Sequence, residues 1–201
     1  MSKQIQQTPD SSWQLLQLGE TQRLMEKYDS ALSYFNQAIQ QNAQESWAFA
    51  HRGEVYYQMG SYPQALQDFN KAIELSPQYS WAYAHRGETC FQQGNYDQAL
   101  KDFNQAIALS PQYAWAYAHR GMIFRFQGDL NSALKDFSSA IDINPNYAWA
   151  WAYRSVISVL MKNYEGAWND LMRAIALDPF ITTRAGSPMK SMNNNGEDNP
   201  E

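Results

Sequence analysis

Tryptophan recurs along this chain at a fixed interval of 34 residues. The five members of the series are Trp13, Trp47, Trp81, Trp115 and Trp149. A small residue keeps the same interval six positions further on, at Gly19, Gly53, Gly87, Gly121 and Ser155. A period of this length is typical of a repeated supersecondary unit that cannot bury its apolar face alone. Such units must therefore stack side by side to form a continuous core.

Each repeat has the pattern of two helices. Its apolar residues fall three and four positions apart in two blocks, which is the period of an amphipathic helix. Glycine follows the first block because the residue after a helix end often needs a positive φ, and proline follows the second because it cannot continue a helix. These residues are Gly60, Gly94, Gly128, Pro77, Pro111, Pro145 and Pro179. The sequence therefore predicts an all-α chain.

The same pattern resembles the tetratricopeptide repeat. Besides the glycine and the proline, the resemblance rests on alanines and a large apolar residue in the second helix, for example Ala65, Phe69 and Ala72. It covers residues 12–181 and implies a right-handed α-solenoid of stacked antiparallel helix pairs. The five repeats are residues 12–45, 46–79, 80–113, 114–147 and 148–181. Residues 1–11 and 182–201 lack the pattern, so we expect both to be disordered and no helix to cap the fifth repeat.

Arginine and aspartate recur together in four repeats, sixteen positions apart. The first repeat lacks both and carries Leu18 and Tyr34 at these two places. Residues that are present or absent together behave as contacting pairs, and breaking a buried pair by removing one partner costs about 3–5 kcal/mol. We therefore predict structural bridges within a repeat or between neighbouring repeats, with a ligand role for the arginines as the alternative. The pairs are Arg52 with Asp68, Arg86 with Asp102, Arg120 with Asp136, and Arg154 with Asp170.

The resemblance implies that the first helices line a concave groove that receives a peptide. Counted from each tryptophan, positions three to four, seven, and ten to eleven residues later share one face of the helix. The residues that we predict to contact a ligand are Trp47, His51, Glu54, Tyr57, Trp81, His85, Glu88, Phe91, Trp115, His119, Met122, Arg125, Phe126, Trp149 and Tyr153. This stripe is acidic in the early repeats and apolar in the late ones, which suits a partner segment with basic residues followed by apolar anchors.

Two simpler interpretations of this stripe stay open. The tryptophans can pack between neighbouring repeats instead of facing a ligand. The histidines His51, His85 and His119 can be identical because the central repeats are duplicates of one another.

The fifth repeat departs from the pattern and indicates a second kind of function. Lys162 stands at the position of the turn glycine, and Leu171 at that of the phenylalanine. Without a capping helix, the last helix of a solenoid leaves one apolar face uncovered. The residues predicted on that face are Trp168, Leu171, Met172 and Ile175. The alternative function is therefore assembly through the C-terminal repeat, with a partner or with another copy of the chain as a homo-oligomer.

Charge and motifs narrow the remaining function classes. The net charge of −5 argues against nucleic acid, because phosphate binding needs lysine and arginine clustered on one face. The sequence has no phosphate-binding glycine loop, zinc-protease pair or nucleophile elbow. The histidines lie on successive helix pairs, too far apart to share one metal ion. We therefore expect no catalysis and no cofactor, and predict a scaffold or adaptor that binds a protein or peptide, as in the assembly of a larger complex.

The sequence also predicts a cytoplasmic location. The first residues contain no apolar signal segment, and the longest apolar run, at residues 156–161, is too short to span a membrane. A single cysteine, Cys90, excludes an intrachain disulfide and fits a reducing compartment. Peripheral attachment to a membrane stays open as an alternative.

Overall fold

The computed structural model describes residues 12–184, which form helices joined by short turns. The helices are α1 (Ser12–Leu24), α2 (Tyr28–Gln41), α3 (Ser46–Gln58), α4 (Tyr62–Leu75), α5 (Ser80–Gln92), α6 (Tyr96–Leu109), α7 (Ala114–Phe126), α8 (Leu130–Ile143), α9 (Ala148–Leu160), α10 (Tyr164–Leu177) and α11 (Ile181–Arg184). The first ten form five antiparallel pairs, one in each repeat. The predicted all-α class of stacked antiparallel helix pairs is confirmed.

The chain divides into two compact units between Ala82 and Tyr83, inside α5. The N-terminal unit contains α1 to α4 and the start of α5, and its core includes Phe35 and Val55. The C-terminal unit contains the rest of α5 and α6 to α11, and its core includes Phe137. In both units the phenylalanine of a second helix lies among alanines of the neighbouring helices.

Small residues on the first helices make room for these phenylalanines. A Cβ atom added to Gly53 would lie 3.1 Å from Cε1 of Phe69, which is fully buried. Ser155 replaces the glycine only in the fifth repeat, where Leu171 replaces the phenylalanine. The close approach of the two helices therefore explains why glycine recurs six positions after tryptophan.

The turn inside each repeat requires a left-handed residue. Gly60, Gly94 and Gly128 have φ angles of 74°, 77° and 82°. Glu26 and Lys162 occupy the same position in the first and fifth repeats, with φ angles of 56° and 63°. A side chain in this conformation costs energy because its Cβ approaches the backbone.

The chain continues past Pro179 into α11, a helix that the sequence pattern does not predict. Ile181 of α11 is buried in the core of the C-terminal unit, and α11 contacts α9 and α10. By the 34-residue period, Ile181 has the same position as Tyr147, which directly precedes α9. Of the segments expected to be disordered, residues 182–184 belong to α11, while residues 1–11 and 185–201 lie outside the described residues.

Candidate functional site

The arginines of the first helices each bind the aspartate of the second helix in the same repeat. Arg52 donates from Nε to Oδ2 and from Nη2 to Oδ1 of Asp68, both at 2.7 Å. The same two-bond geometry joins Arg86 to Asp102, Arg120 to Asp136, and Arg154 to Asp170. Because the carboxylates are buried and the bonds are bidentate, each pair fixes the two helices of its repeat.

The same guanidinium groups also reach the preceding repeat. Nη1 of Arg52 donates to Oδ1 of Asn36 at 2.6 Å. Nη1 of Arg120 donates to Asn104 at 2.7 Å, and that of Arg154 to Oγ of Ser138 at 3.3 Å. Each of these arginines therefore ties three helices together. This contact was not predicted, although Asn36, Asn70 and Asn104 recur at the 34-residue interval and carry the signal.

Histidines and glutamates of the predicted groove contact each other between successive first helices. Nδ1 of His51 on α3 lies 3.1 Å from Oε2 of Glu20 on α1. Nδ1 of His119 on α7 lies 2.8 Å from Oε2 of Glu88 on α5. All four residues are buried or half-buried, so these polar groups serve contacts inside the protein.

The histidine rings lie between tryptophans. The ring centroid of His51 is 3.5 Å from that of Trp47 and 4.8 Å from that of Trp81. In the C-terminal unit, His119 lies 3.8 Å from Trp115 and 5.3 Å from Trp149. Tryptophan and histidine thus alternate in a stack that joins one repeat to the next within each unit.

Charge in the N-terminal unit is concentrated around Glu20. Burial favours the protonated acid, but hydrogen bonds from His51 and Arg23 outweigh it and lower the pKa of Glu20 to about 2. Burial lowers the pKa of His51, although Glu20 and Glu54 oppose this effect. Near neutral pH we therefore assign His51 as neutral, with its Nδ1–H donating to an ionised Glu20. Nε2 of His51 is buried and has no hydrogen-bond partner among residues 12–184.

The exposure of the groove candidates separates them into two groups. The buried ones are His51, Glu54, Trp81, His85, Glu88, Trp115, His119, Met122 and Trp149. Trp47, Tyr57, Phe91, Arg125 and Tyr153 are half-buried, and Phe126 is exposed. Burial favours the packing interpretation for the first group, whereas ligand contact by the second group stays a prediction.

The C-terminal unit presents an aromatic cluster, formed by Phe91, Tyr96 and Phe126. Phe91 lies 5.6 Å from Tyr96 and 5.5 Å from Phe126, measured between ring centroids. Phe126 is 56% exposed. Tyr96 is the first residue of α6. It was not among the residues predicted to contact a ligand, because only positions on the first helices were considered.

Arg125 lies beside this aromatic cluster. Its Cζ is 5.3 Å from the ring centroid of Phe126, and its Nε is buried without a hydrogen-bond acceptor among the described residues. Burial raises the pKa of Tyr153, and the positive charge of Arg125 opposes that rise. The site thus combines exposed aromatic surface with a guanidinium donor.

The end-on candidates of the fifth repeat also differ in exposure. Trp168 is 63% and Met172 is 46% exposed, whereas Leu171 and Ile175 are half-buried. Ile175 packs against the core of the C-terminal unit. Apolar surface is therefore concentrated on the outer face of α10.

The described residues offer little that could support redox or metal chemistry. Burial raises the pKa of the Cys90 thiol to about 11, so the reactive thiolate is scarce at neutral pH. No group of three or more His, Cys, Asp or Glu side chains in this part of the chain could hold a metal ion. None of the described helices is long and apolar enough to cross a lipid bilayer.

Stacked helix pairs joined by recurring side-chain contacts define an α-helical repeat protein. A tetratricopeptide-repeat model matches residues 44–112 and 78–146, and a second model of the same repeat matches residues 15–45. The chain belongs to the tetratricopeptide repeat family, whose members generally mediate protein–protein interactions and are typically non-catalytic. No curated protein matches it.

Solved structures share this fold. TTC0263, a thermophilic tetratricopeptide-repeat protein of Thermus thermophilus, has 20% sequence identity and a TM-score of 0.74, over 87% of this chain and 96% of that one. YrrB, a protein of the same class with an unusual peptide-binding site, has 21% identity and a TM-score of 0.63, over 87% and 91%. The Cut9–Hcn1 hetero-tetramer of the APC/C gives 19% identity and a TM-score of 0.79, over 86% of this chain and 35% of the other. Similarity at these identities shows the fold alone.

Proposed function

We propose that this protein is a non-catalytic adaptor that holds a peptide segment of a partner protein against repeats three and four. The observation that carries this proposal is the aromatic cluster of Phe91, Tyr96 and Phe126 beside Arg125. Aromatic residues and arginine are enriched at protein interfaces, and tyrosine and arginine are frequent among the few residues that dominate the binding energy. Here they lie together on a surface that is already partly exposed.

The chemistry of these side chains specifies the ligand. The aromatic cluster favours an apolar or aromatic side chain, because ring contacts add to the burial of apolar area. The buried Nε–H of Arg125 requires an acceptor, which a carboxylate or a backbone carbonyl of the ligand would supply. The ligand is therefore an extended segment with an apolar anchor next to an acceptor group.

Basic residues in the ligand contribute less under this proposal. Oε2 of Glu88 lies 2.8 Å from His119, and its Oε1 accepts a hydrogen bond from Gln92 at 2.7 Å. A glutamate that is buried and bonded in this way has little capacity left for a lysine or arginine of a partner. We therefore assign the apolar anchor the larger share of the binding energy.

Support also comes from the comparison with YrrB, which has a peptide-binding site on a fold of the same class. The similarity extends to the fold and not to the site residues. It supports the proposal that stacked helix pairs of this kind can bind a peptide. The residues proposed to bind it are inferred from this chain alone.

Selection from a phage-displayed peptide library on the purified protein tests this proposal. We expect enriched peptides to share an apolar residue beside an acidic one, and Phe126→Ala to weaken their binding about tenfold or more. Arg125→Gln should weaken peptides with the acidic residue and leave their neutral analogues unchanged. Met59→Ala, which truncates an exposed side chain at the end of α3, is the matched control. Equal binding by all three variants, or no enrichment, would refute the proposal.

The second candidate function is assembly through the fifth repeat. It is favoured by the exposure of Trp168 and Met172 on α10. A protein partner or another copy of the chain could cover this face.

A further inference from the structure

We propose that copies of this protein assemble head to tail, with α1 of one copy packing on α10 of the next. The contact would repeat the one that a first helix makes with the preceding second helix inside the chain, as α9 does with α8. This inference rests on the second candidate function and names its partner as a second copy. It is independent of the aromatic cluster and of peptide binding.

The two positions that form a polar contact between neighbouring repeats are both apolar where the row of repeats ends. Between repeats, Arg120 donates a hydrogen bond to Asn104, and Arg52 does so to Asn36. By the 34-residue period, the acceptor position in the last repeat is Met172 and the donor position in the first repeat is Leu18.

Both end residues are apolar, and both are accessible to a partner. Met172 is 46% and Leu18 is 37% exposed. Replacing both members of a polar pair by apolar groups preserves a contact without leaving a buried group unsatisfied. Contact between Leu18 of one copy and Met172 of another is therefore more favourable than leaving both apolar side chains exposed to water.

The tryptophan of the first repeat gives a second, independent indication. Trp115 is 6% exposed, and its ring centroid lies 5.9 Å from that of Phe103 in the preceding second helix. Trp13 has the same position in its repeat but is 66% exposed. In the proposed junction, Leu171 of a second copy takes the place of the phenylalanine and covers Trp13.

On α10, Trp168 is uncovered in the same way as Trp13 is on α1. Trp168 has the position of Leu32 and Leu134 in their repeats, and both leucines are half-buried against the core. Trp168 itself is exposed because no further first helix follows it in the described chain. A docked α1 would cover it.

The charges at the junction are compatible with docking. Between first helices, Glu88 contacts His119. By the 34-residue period, Val156 in the fifth repeat has the position of this glutamate, and Gln17 in the first repeat has that of the histidine. Neither residue is charged, so docking buries no unpaired ion at these positions. Asp170 of the last repeat is already bound by Arg154.

Helix α11 competes for the same site. By the 34-residue period, residues 181–184 of α11 correspond to residues 11–14, which include the first turn of α1. Docking of a second copy therefore has to displace α11 and its buried Ile181. Removing residues 181–201 should strengthen assembly, because the competitor for the α10 face is lost.

A contact between different surfaces of two copies is heterologous, so it produces closed rings or open filaments depending on the rotation per copy. Analytical ultracentrifugation of the full chain over a range of concentrations should therefore show mass rising beyond a dimer. A chain that stays monomeric at all concentrations overturns the proposal. If a chain ending at residue 180 associates while the full chain does not, the chain's own C-terminal residues cover α10, and the proposal is also overturned.

Two single-end variants identify the junction. The first, Leu18→Arg with Tyr34→Asp, introduces the arginine–aspartate pair of the other repeats into the first repeat. The second, Met172→Asn, introduces the acceptor of Asn36 and Asn104 into the last repeat. Each alone should weaken self-association about tenfold or more, because an unmatched polar group is buried at every junction.

Mixing the two variants should restore assembly. The introduced arginine then meets the introduced asparagine at one junction, and Leu18 meets Met172 at the next. Met59→Asn, away from both ends, is the control and should associate as the wild type does. Association that both single-end variants leave unchanged, or a mixture that stays monomeric, refutes the proposed junction. Peptide binding by the same variants should be unaffected, which separates this outcome from a failure of the peptide-binding proposal.

Discussion

Arg120 on α7 and Asp136 on α8 share two hydrogen bonds, of 2.7 Å from Nε to Oδ2 and 2.8 Å from Nη2 to Oδ1. The remaining guanidinium nitrogen donates to Asn104 on α6. One side chain thus fixes the two helices of its own repeat and the second helix of the preceding one. The same arrangement around Arg52 in the N-terminal unit makes this a property of the repeat.

Removing this arginine should destabilise the C-terminal unit strongly. In Arg120→Ala the buried carboxylate of Asp136 loses its partner, which should lower the free energy of unfolding by about 3 kcal/mol. Urea denaturation followed by circular dichroism measures the change. Arg120→Leu with Asp136→Leu removes both charges and should cost clearly less than Arg120→Ala. The exposed Arg173→Ala serves as control, and an equal effect of Arg120→Ala and Arg173→Ala would contradict the structural role.

Stability should fall as the pH drops below about 6.5, because His51 is buried in its neutral form. Its pKa is lowered in the folded state, so the unfolded chain takes up the proton first. One such group contributes at most about 1.4 kcal/mol per pH unit between the two pKa values. Urea denaturation from pH 8 to pH 5 should show this loss in the wild type and a flatter profile in His51→Gln, which keeps a donor for Glu20. Identical profiles would contradict the assignment.

Protonation of Glu20 should cause a further loss of stability at lower pH. Its pKa is lowered from 4.5 to about 2 in the folded state, so its stabilising contribution is complete above pH 4.5 and disappears between pH 4.5 and pH 2. In Glu20→Gln this second decline should be smaller. Far-UV circular dichroism during acid titration measures it, and Glu45→Gln, at the half-buried start of α3, is the control.

The sequence period predicted the helix pairs because a turn glycine in the three central repeats and a closing proline in repeats two to five mark most helix ends locally. The joint presence of arginine and aspartate likewise pointed to pairs such as Arg52 and Asp68. The burial of individual side chains could not be predicted from the period. Trp13 and Trp115 have the same repeat position but are 66% and 6% exposed. A helical stripe places residues on a common face, whereas the cover of that face depends on neighbouring repeats. Helix α11 was missed because four residues are too few to show a period.

Replacing Lys162 in the turn of the fifth repeat by glycine should stabilise the protein. Lys162 has a φ of 63°, a conformation that glycine adopts in the three central repeats. Lys162→Gly removes the strain of the side chain but adds chain entropy to the unfolded state, and the net gain should be about 0.5–1 kcal/mol. The reverse change, Gly94→Lys, should lose about 1 kcal/mol, and no atom lies within 4 Å of a Cβ added there, so backbone conformation alone would cause it. Thermal unfolding measured side by side tests both signs.

Packing of the first repeat depends on the absence of a side chain at Gly19. A Cβ added there would lie 2.8 Å from Cε1 of Phe35, which is fully buried and has little room to move. Gly19→Ala should therefore cost about 1–2 kcal/mol, because overpacking outweighs the helix preference of alanine. Phe35→Leu in the same chain should recover part of that loss, as Leu171 accompanies Ser155 in the fifth repeat. Urea denaturation of both single variants and of the double variant measures these changes. If the losses of Gly19→Ala and Phe35→Leu simply add in the double variant, contact with Phe35 is not what restricts position 19 to glycine.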